Sequence, residues 1–268
     1  VCYTLLPSFL TTYLQNSGQE KAFCRNLAAN LAGMRKKWVF AGALAFVITV
    51  CPGWGFLVHR TIHQLAVYEL PASMQPFFYR HLAYGIRHSV RADQRRSQDA
   101  AEAARHYINL ERFGDSAAWK MPVTWDAAVA RYGRDSLLSH GHVPYYILLM
   151  KDRLTAAFRS ADKDSILFYA TDIAHYIADA HVPLHTTVNY DGQLTAQKGL
   201  HSLWETVIPE LELERFSLRS RHKARYLRQP AKAIWVAIRQ AHALIDELLA
   251  QERLVSQQFT DSTRYRVQ

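Results

Sequence analysis

His175-Tyr-Ile-Ala-Asp179-Ala-His181-Val-Pro-Leu-His185 is the stretch of this chain richest in groups that can do chemistry. His175 and Asp179 stand four residues apart, so on a helix they project from one face, one turn from each other, and can reach the same ion. His201 and Glu205 repeat the spacing and again set imidazole beside carboxylate. A single pair of this kind arises by chance in many helices. Two pairs within about thirty residues, with His185 between them, point to metal ligation instead. No cysteine lies near, and an all-N/O ligand set suits zinc with an open, reactive position rather than a closed structural site.

The elements that must position these groups read as helices. The run from Asp164 to Ala180 is the clearest, with Ile166, Leu167, Ala170, Ile173, Ala174 and Ile177 at three- and four-residue steps and Pro183 closing it. Helices are also predicted over Phe56 to Leu70, through Ile62, Leu65, Ala66 and Leu70, and over Asp99 to Tyr107, Trp125 to Tyr132, Val143 to Phe158 and Ala231 to Leu254. Leu148, Leu149 and Leu154 form the expected apolar stripe of the Val143 helix. Asn189 to Gly199 reads as a loop, and the Arg-rich stretch from Arg215 to Arg228 as a solvated face or linker. Sustained two-residue alternation is missing, so the chain is expected to be all-α.

The first fifty residues have a different character. Lys36 and Lys37 precede an apolar run from Trp38 to Val50, followed by Cys51, Pro52 and Gly53. That run is shorter than the roughly 20 residues a bilayer crossing needs, and fits the apolar part of a secretory signal. Residues 34–53 are therefore expected to be a signal peptide, with Met34 the natural start, Gly53 the last residue removed and residues 1–33 an upstream extension of no assigned function. The product is expected to be exported, to the periplasm or beyond the cell. Lipidation of Cys51 is the alternative, and Val50 is a bulky neighbour for it. Cys2, Cys24 and Cys51 all precede the cut, so the mature chain would carry no thiol. A net charge of +9 favours an anionic partner such as nucleic acid or a phospholipid surface, or serves solubility alone.

The run from His175 to His185, together with His201-Ser-Leu-Trp204-Glu205, resembles the superfamily of bacterial zinc-dependent phospholipases C and single-strand-specific zinc nucleases of fungi and plants. Trp54-Gly-Phe-Leu-Val-His59 is similar to that family's mature amino terminus, Ala92-Asp93 to its aspartate ligand, and Arg105-His106-Tyr107 to its next histidine. The resemblance implies a single multi-helix domain over residues 54–268 and three zinc ions. Asp93, His106, His175 and Asp179 would hold the first. His185, His201 and Glu205 would hold the second, and the amine and carbonyl of Trp54, His59 and a shared oxygen of Asp179 the third. It further implies hydrolysis of phosphate esters by a hydroxide bridging two ions, with Asp93 and Asp179 closest to the reaction.

The implied substrate divides. Trp54-Gly55 with His59, and Trp204, match the nucleases, whereas Glu205 in place of Asp matches the phospholipases, and Asp191-Gly192-Gln193 departs from the nuclease pattern. Single-stranded nucleic acid stands slightly ahead of phospholipid, and a non-catalytic zinc-binding module is the third reading. The resembled proteins run on past the equivalent of Arg264-Tyr265-Arg266, so a final packing helix is expected to be missing. His63, His81, His88, His140, His142, His222 and His242 are read as structural or exposed, His181 as support to a ligand, and Trp125-Asp126 as the start of a helix after Thr124.

Overall fold

In the computed structural model, residues 55–219 and 224–257 are described. Thirteen α-helical segments follow one another among them: α1 (Phe56–Tyr68), α2 (Gln75–Arg80), α3 (Leu82–His88), α4 (Arg91–Arg95), α5 (Ala117–Lys120), α6 (Trp125–Tyr132), α7 (Arg134–His140), α8 (Val143–Arg159), α9 (Lys163–Asp179), α10 (Leu200–Ser202), α11 (Ile208–Glu212), α12 (Pro230–His242) and α13 (Ile245–Ser256). A π-helical turn, Leu203–Val207, joins α10 to α11. The described residues form no strand, and the fold is all-α. Trp54 and the whole of the expected signal peptide lie outside the described residues.

The α8–α9 hairpin is the centre of the structure. Asp162 caps α9, its carboxylate accepting from the amides of Asp164 and Ser165 at 3.1 and 3.2 Å and from the Ser165 hydroxyl at 2.6 Å. Ile147, Met150 and Leu154 of α8, Ile166, Leu167 and Ile173 of α9, and Trp235 and Ile238 of α12 close one core. Burying each such aliphatic side chain contributes on the order of 1.5–3 kcal/mol. The buried face of α8 thus runs through Ile147, Met150, Leu154 and Ala157, while Leu149, expected in the stripe, is exposed. α1 is turned likewise: His59, His63 and Val67 are its buried positions, and Ile62 and Leu65 are only half-covered.

Two expected helices are corrected. Over Asp99 to Tyr107 only Ala103–Arg105 forms a single 3₁₀ turn. Tertiary partners take the backbone groups a longer helix would need. The carbonyls of Ala104 and Tyr107 accept from the amides of His142 and Val143 at 2.9 and 3.1 Å, and the Ile108 amide donates to the His185 carbonyl at 2.9 Å. Gly141 permits this docking, because a Cβ there would stand 2.3 Å from the Tyr107 oxygen. The helix expected over Ala231 to Leu254 is two, α12 and α13, parted at Ala243 and Leu244.

α1 lies between α9, α3 and the π-helical turn. It meets α3 at Gly85, where the ring of His63 occupies the space of a side chain: a Cβ on Gly85 would stand 2.0 Å from His63 Nε2. That close approach sets the height of α1 over α9, and with it the position of His59.

Candidate metal centre

Asp93 reaches inward from α4, His106 follows the 3₁₀ turn, and His175 and Asp179 come from the last turns of α9. His106 Nδ1 lies 3.2 Å from His175 Nε2, 2.9 Å from Asp179 Oδ2 and 3.6 Å from Asp93 Oδ1. His175 Nε2 is in turn 3.4 Å from Asp179 Oδ2 and 3.7 Å from Asp93 Oδ1. A tetrahedron with metal–nitrogen bonds of roughly 2.0–2.1 Å has edges of about 3.3–3.4 Å, and these separations cluster around that length. The other oxygen of Asp179 faces away, 3.4 Å from His59 Nε2. His59 stacks on His175 with ring centroids 3.9 Å apart, so one carboxylate serves two adjoining positions.

A second cluster sits beside the first. His185 follows Pro183 in a 3₁₀ turn, and His201 and Glu205 project from α10 and the π-helical turn. His185 Nε2 lies 3.3 Å from His201 Nε2 and 3.0 Å from one Glu205 oxygen, and His201 Nε2 is 3.1 Å from the other. Three groups of residues therefore offer ligand atoms close enough to hold a metal ion: His59, His175 and Asp179; Asp93, His106 and His175; His185, His201 and Glu205.

The outer nitrogens settle what the inner ones present. His175 Nδ1 donates to the Ser89 carbonyl at 2.8 Å, His185 Nδ1 to the His106 carbonyl at 2.7 Å, and His201 Nδ1 to the Tyr190 carbonyl at 3.1 Å. In neutral rings every Nε2 then carries a lone pair, and these lone pairs face carboxylate oxygens and one another. Acceptors opposed at 3 Å repel unless a cation lies between them. Asp93 Oδ2 and His59 Nδ1, both buried, have no hydrogen-bond partner among the described residues, which adds to the unmet demand.

Charge follows the same logic. Burial lowers the pKa of His59 to about 4, helped by neighbouring His175, and burial lowers that of His175 to about 4 against the pull of Asp179. Both rings are neutral at neutral pH and have lone pairs to offer. Burial alone would raise Asp179 and Glu205, but His175 and His185 around the first, and His201 and His185 around the second, outweigh it and keep both carboxylates ionised. Burial would lower His185, yet Glu205 and Asp179 overcome it and push the ring up to about 10, so that without a metal a proton supplies the positive charge. Asp93 is raised, chiefly by burial.

An apolar cleft opens beside the clusters. Val58, Ile62, Val182, Trp204, Ile208 and Phe216 furnish most of its wall, and His59, Asp179 and Glu205 stand at its edge. Gly55 borders it too: its amide donates to Thr206 Oγ1 at 3.1 Å, and a Cβ there would lie 3.7 Å from Glu205 Oε2.

Eight of the nine expected ligands are thus brought together, although they are spread over almost 150 positions, and the ninth, Trp54, lies outside the described residues. The remaining histidines stay out. His63 is buried against Gly85, His142 is buried at the head of α8, His242 Nδ1 meets Thr186 Oγ1 at 3.1 Å, and His81, His88 and His140 are half-buried. His222 lies outside the described residues. His181, expected to support a ligand, lies just past the end of α9 and donates from Nδ1 to the Ile177 carbonyl in its last turn at 2.7 Å. α6 begins at Trp125 as expected, with Thr124 extended at its N-cap, but no side chain caps it.

Sequence reading overlooked Glu102, Tyr176, Arg95 and Asp172, a buried polar group directly behind His106. Four-residue spacing from Glu102 to His106 was the available sign, the same spacing that drew attention to the other pairs.

No family model, curated protein or solved structure matches this chain. The site is therefore read from its own geometry.

Proposed function

We propose that this chain is a zinc-dependent hydrolase of phosphate esters. The observation that carries the reading is the spacing of the inner ligand atoms, 2.9–3.7 Å in the first cluster and 3.0–3.3 Å in the second, between imidazoles and carboxylates that call for positive charge among them. Asp93, His106, His175 and Asp179 would hold one ion, His185, His201 and Glu205 another, and His59 with Asp179 and the amine and carbonyl of Trp54 a third. Zinc bound there supplies Lewis acidity toward water and toward phosphoryl oxygen near neutral pH.

The protein's own contribution is orientation and shape. Ser89, His106 and Tyr190 hold the outer imidazole protons on their carbonyls and keep the inner nitrogens directed at the centre. Asp179 divides its two oxygens between neighbouring positions, which fixes their spacing. The apolar wall excludes water from one side of the reacting ester and receives its non-phosphate part.

That wall also bears on the substrate. No Lys or Arg lines the cleft among the described residues, whereas a polynucleotide with successive phosphates calls for cations along its path. Such a lining supports an ester whose phosphate carries an apolar substituent, and on that ground we rank phospholipid ahead of single-stranded nucleic acid.

One experiment tests both parts. Purified chain would be assayed for head-group release from phosphatidylcholine vesicles and for acid-soluble nucleotides from single-stranded DNA, with zinc content measured before and after chelation. Lipid turnover that a chelator abolishes and zinc restores is the expected result. DNA turnover alone would reverse the substrate order. Bound zinc without turnover of either would leave a non-catalytic zinc-binding module, and a chain that takes up no zinc would overturn the reading.

A further inference from the structure

Glu102 is completely buried, yet it is a carboxylate and belongs to none of the three ligand groups. Burying a carboxylate is costly unless it is paired and hydrogen-bonded, so its surroundings show what it is kept for. Arg95 brings Nη2 to 3.3 Å from Oε1 and Nε to 3.3 Å from Oε2, and Arg105 Nη1 pairs with Oε2. The Tyr176 hydroxyl donates to Oε1 and itself accepts from Arg95 Nη2 at 2.9 Å. Beyond them the charges alternate: Arg95 also binds Asp172 at 2.8 Å, Asp172 binds Arg91 at 2.6 Å, and Arg105 binds Asp99 at 3.0 Å. Three arginines and three acids form one chain of ion pairs with no net charge. Glu102 is the acid in it that faces the metal centre.

On that side Oε1 stands 3.4 Å from His106 Nε2, the one nitrogen of His106 that looks away from the other ligands, and Nε2 is buried with no hydrogen bond of good geometry to any other group among the described residues. His106 differs from its neighbours. His175, His185 and His201 present Nε2 inward and give Nδ1 to a backbone carbonyl, whereas His106 presents Nδ1 inward, so for Nδ1 to bind an ion the ring proton must sit on Nε2, where the nearest acceptor is a carboxylate rather than a carbonyl. We infer that Glu102 is a positioning residue that holds the His106 ring in the Nε2-protonated form and so makes Nδ1 a ligand, with Arg95, Arg105 and Tyr176 fixing the carboxylate itself. The inference rests on the metal-centre reading above and adds a residue to it.

The test compares wild type with Glu102→Ala and Glu102→Gln. The alanine variant removes the acceptor. The glutamine variant keeps the shape and one oxygen acceptor, and preserves the fold if the alanine variant does not. Zinc affinity would be measured by competition with a graded series of chelators, which separates strong from weak sites. Ring-¹⁵N NMR of the zinc-loaded chain would report which His106 nitrogen carries the proton and which the ion. Glu102→Ala is expected to weaken one site about 10–100-fold, as loss of the residue behind a ligand does, while the His185, His201 and Glu205 site stays within about threefold of wild type. Glu102→Gln is expected to recover part of that loss. The Nε2-protonated form should dominate in wild type and give way to mixed tautomers in Glu102→Ala. Unchanged affinity in both variants, equal weakening of every site, or an unchanged tautomer would overturn the inference while leaving the metal centre standing. A wild-type chain that binds no zinc would overturn both.

Discussion

Replacing Gly85 with alanine tests whether the contact between α1 and α3 sets the position of His59. The added methyl would stand 2.0, 2.7 and 3.1 Å from His63 Nε2, Cδ2 and Cε1, all well inside van der Waals contact. His63 is buried and cannot swing its ring into solvent. Either the ring is forced off its rotamer or α1 lifts from α3, and overpacking of this kind costs about 1–3 kcal/mol. For a chain of this size each kcal/mol lowers Tm by about 2–4 °C, so a fall of roughly 2–12 °C is expected. If α1 lifts, it carries His59 away from Asp179, now 3.4 Å distant, and zinc content falls as well. Thermal unfolding by circular dichroism, on metal-free protein, would give the stability of Gly85→Ala, His63→Ala and the double variant. Removing the ring makes room for the methyl, so the double variant should be more stable than the sum of the singles by about 1 kcal/mol or more. A Tm within 1 °C of wild type for Gly85→Ala, or strict additivity, would refute the packing argument.

Asp179→Asn keeps the side chain's size and removes its charge from between two ligand groups, so zinc content should drop by more than one ion per chain, whereas His201→Ala should cost only the second cluster; metal analysis after gel filtration distinguishes them. His59, His63, His142 and His175 all have pKa values lowered to about 4 from an ordinary 6.5, chiefly by burial. The unfolded chain therefore takes up protons first as pH falls, and the metal-free protein should lose on the order of several kcal/mol between about pH 6.5 and 4. His185, raised to about 10, acts oppositely: its contribution is complete below about 6.5 and fades as pH rises toward 10. Urea denaturation across that range should show a maximum near neutrality, and a flat acid limb would contradict it. A chain beginning at Trp54 should bind one more zinc than a chain retaining Gly53, because a free amine is a ligand and an amide nitrogen is a poor one; equal zinc content would remove Trp54 from the site.

How much of this was legible beforehand depends on where the partners lie. The α9 ligands were readable because period, spacing and closing proline agreed over one local stretch, and His201 with Glu205 for a similar reason. Asp93 and His106 carry no such local pattern, and only a resemblance to a known family pointed to them. The false helix over Asp99 to Tyr107 shows the limit most clearly. Its composition is helical, but the carbonyls of Ala104 and Tyr107 are taken by the amides of His142 and Val143, a competition local sequence does not display. The buried face of α1 was misjudged because histidines fill it: His59 and His63 read as polar and are covered, and half-covered Ile62 faces the cleft. Glu102 escaped notice because a carboxylate among arginines looks like an exposed charged surface until tertiary structure encloses it.

The segments carrying His106 and His185 grip each other in both directions. His185 donates a ring proton to the His106 carbonyl, and two residues beyond His106 the Ile108 amide returns a bond to the His185 carbonyl. Each segment contributes to a different cluster, so the two cages share a hinge pin of two hydrogen bonds that holds them in register whether or not either is filled. A substitution that empties one cage without touching these bonds should accordingly leave the geometry of the other in place.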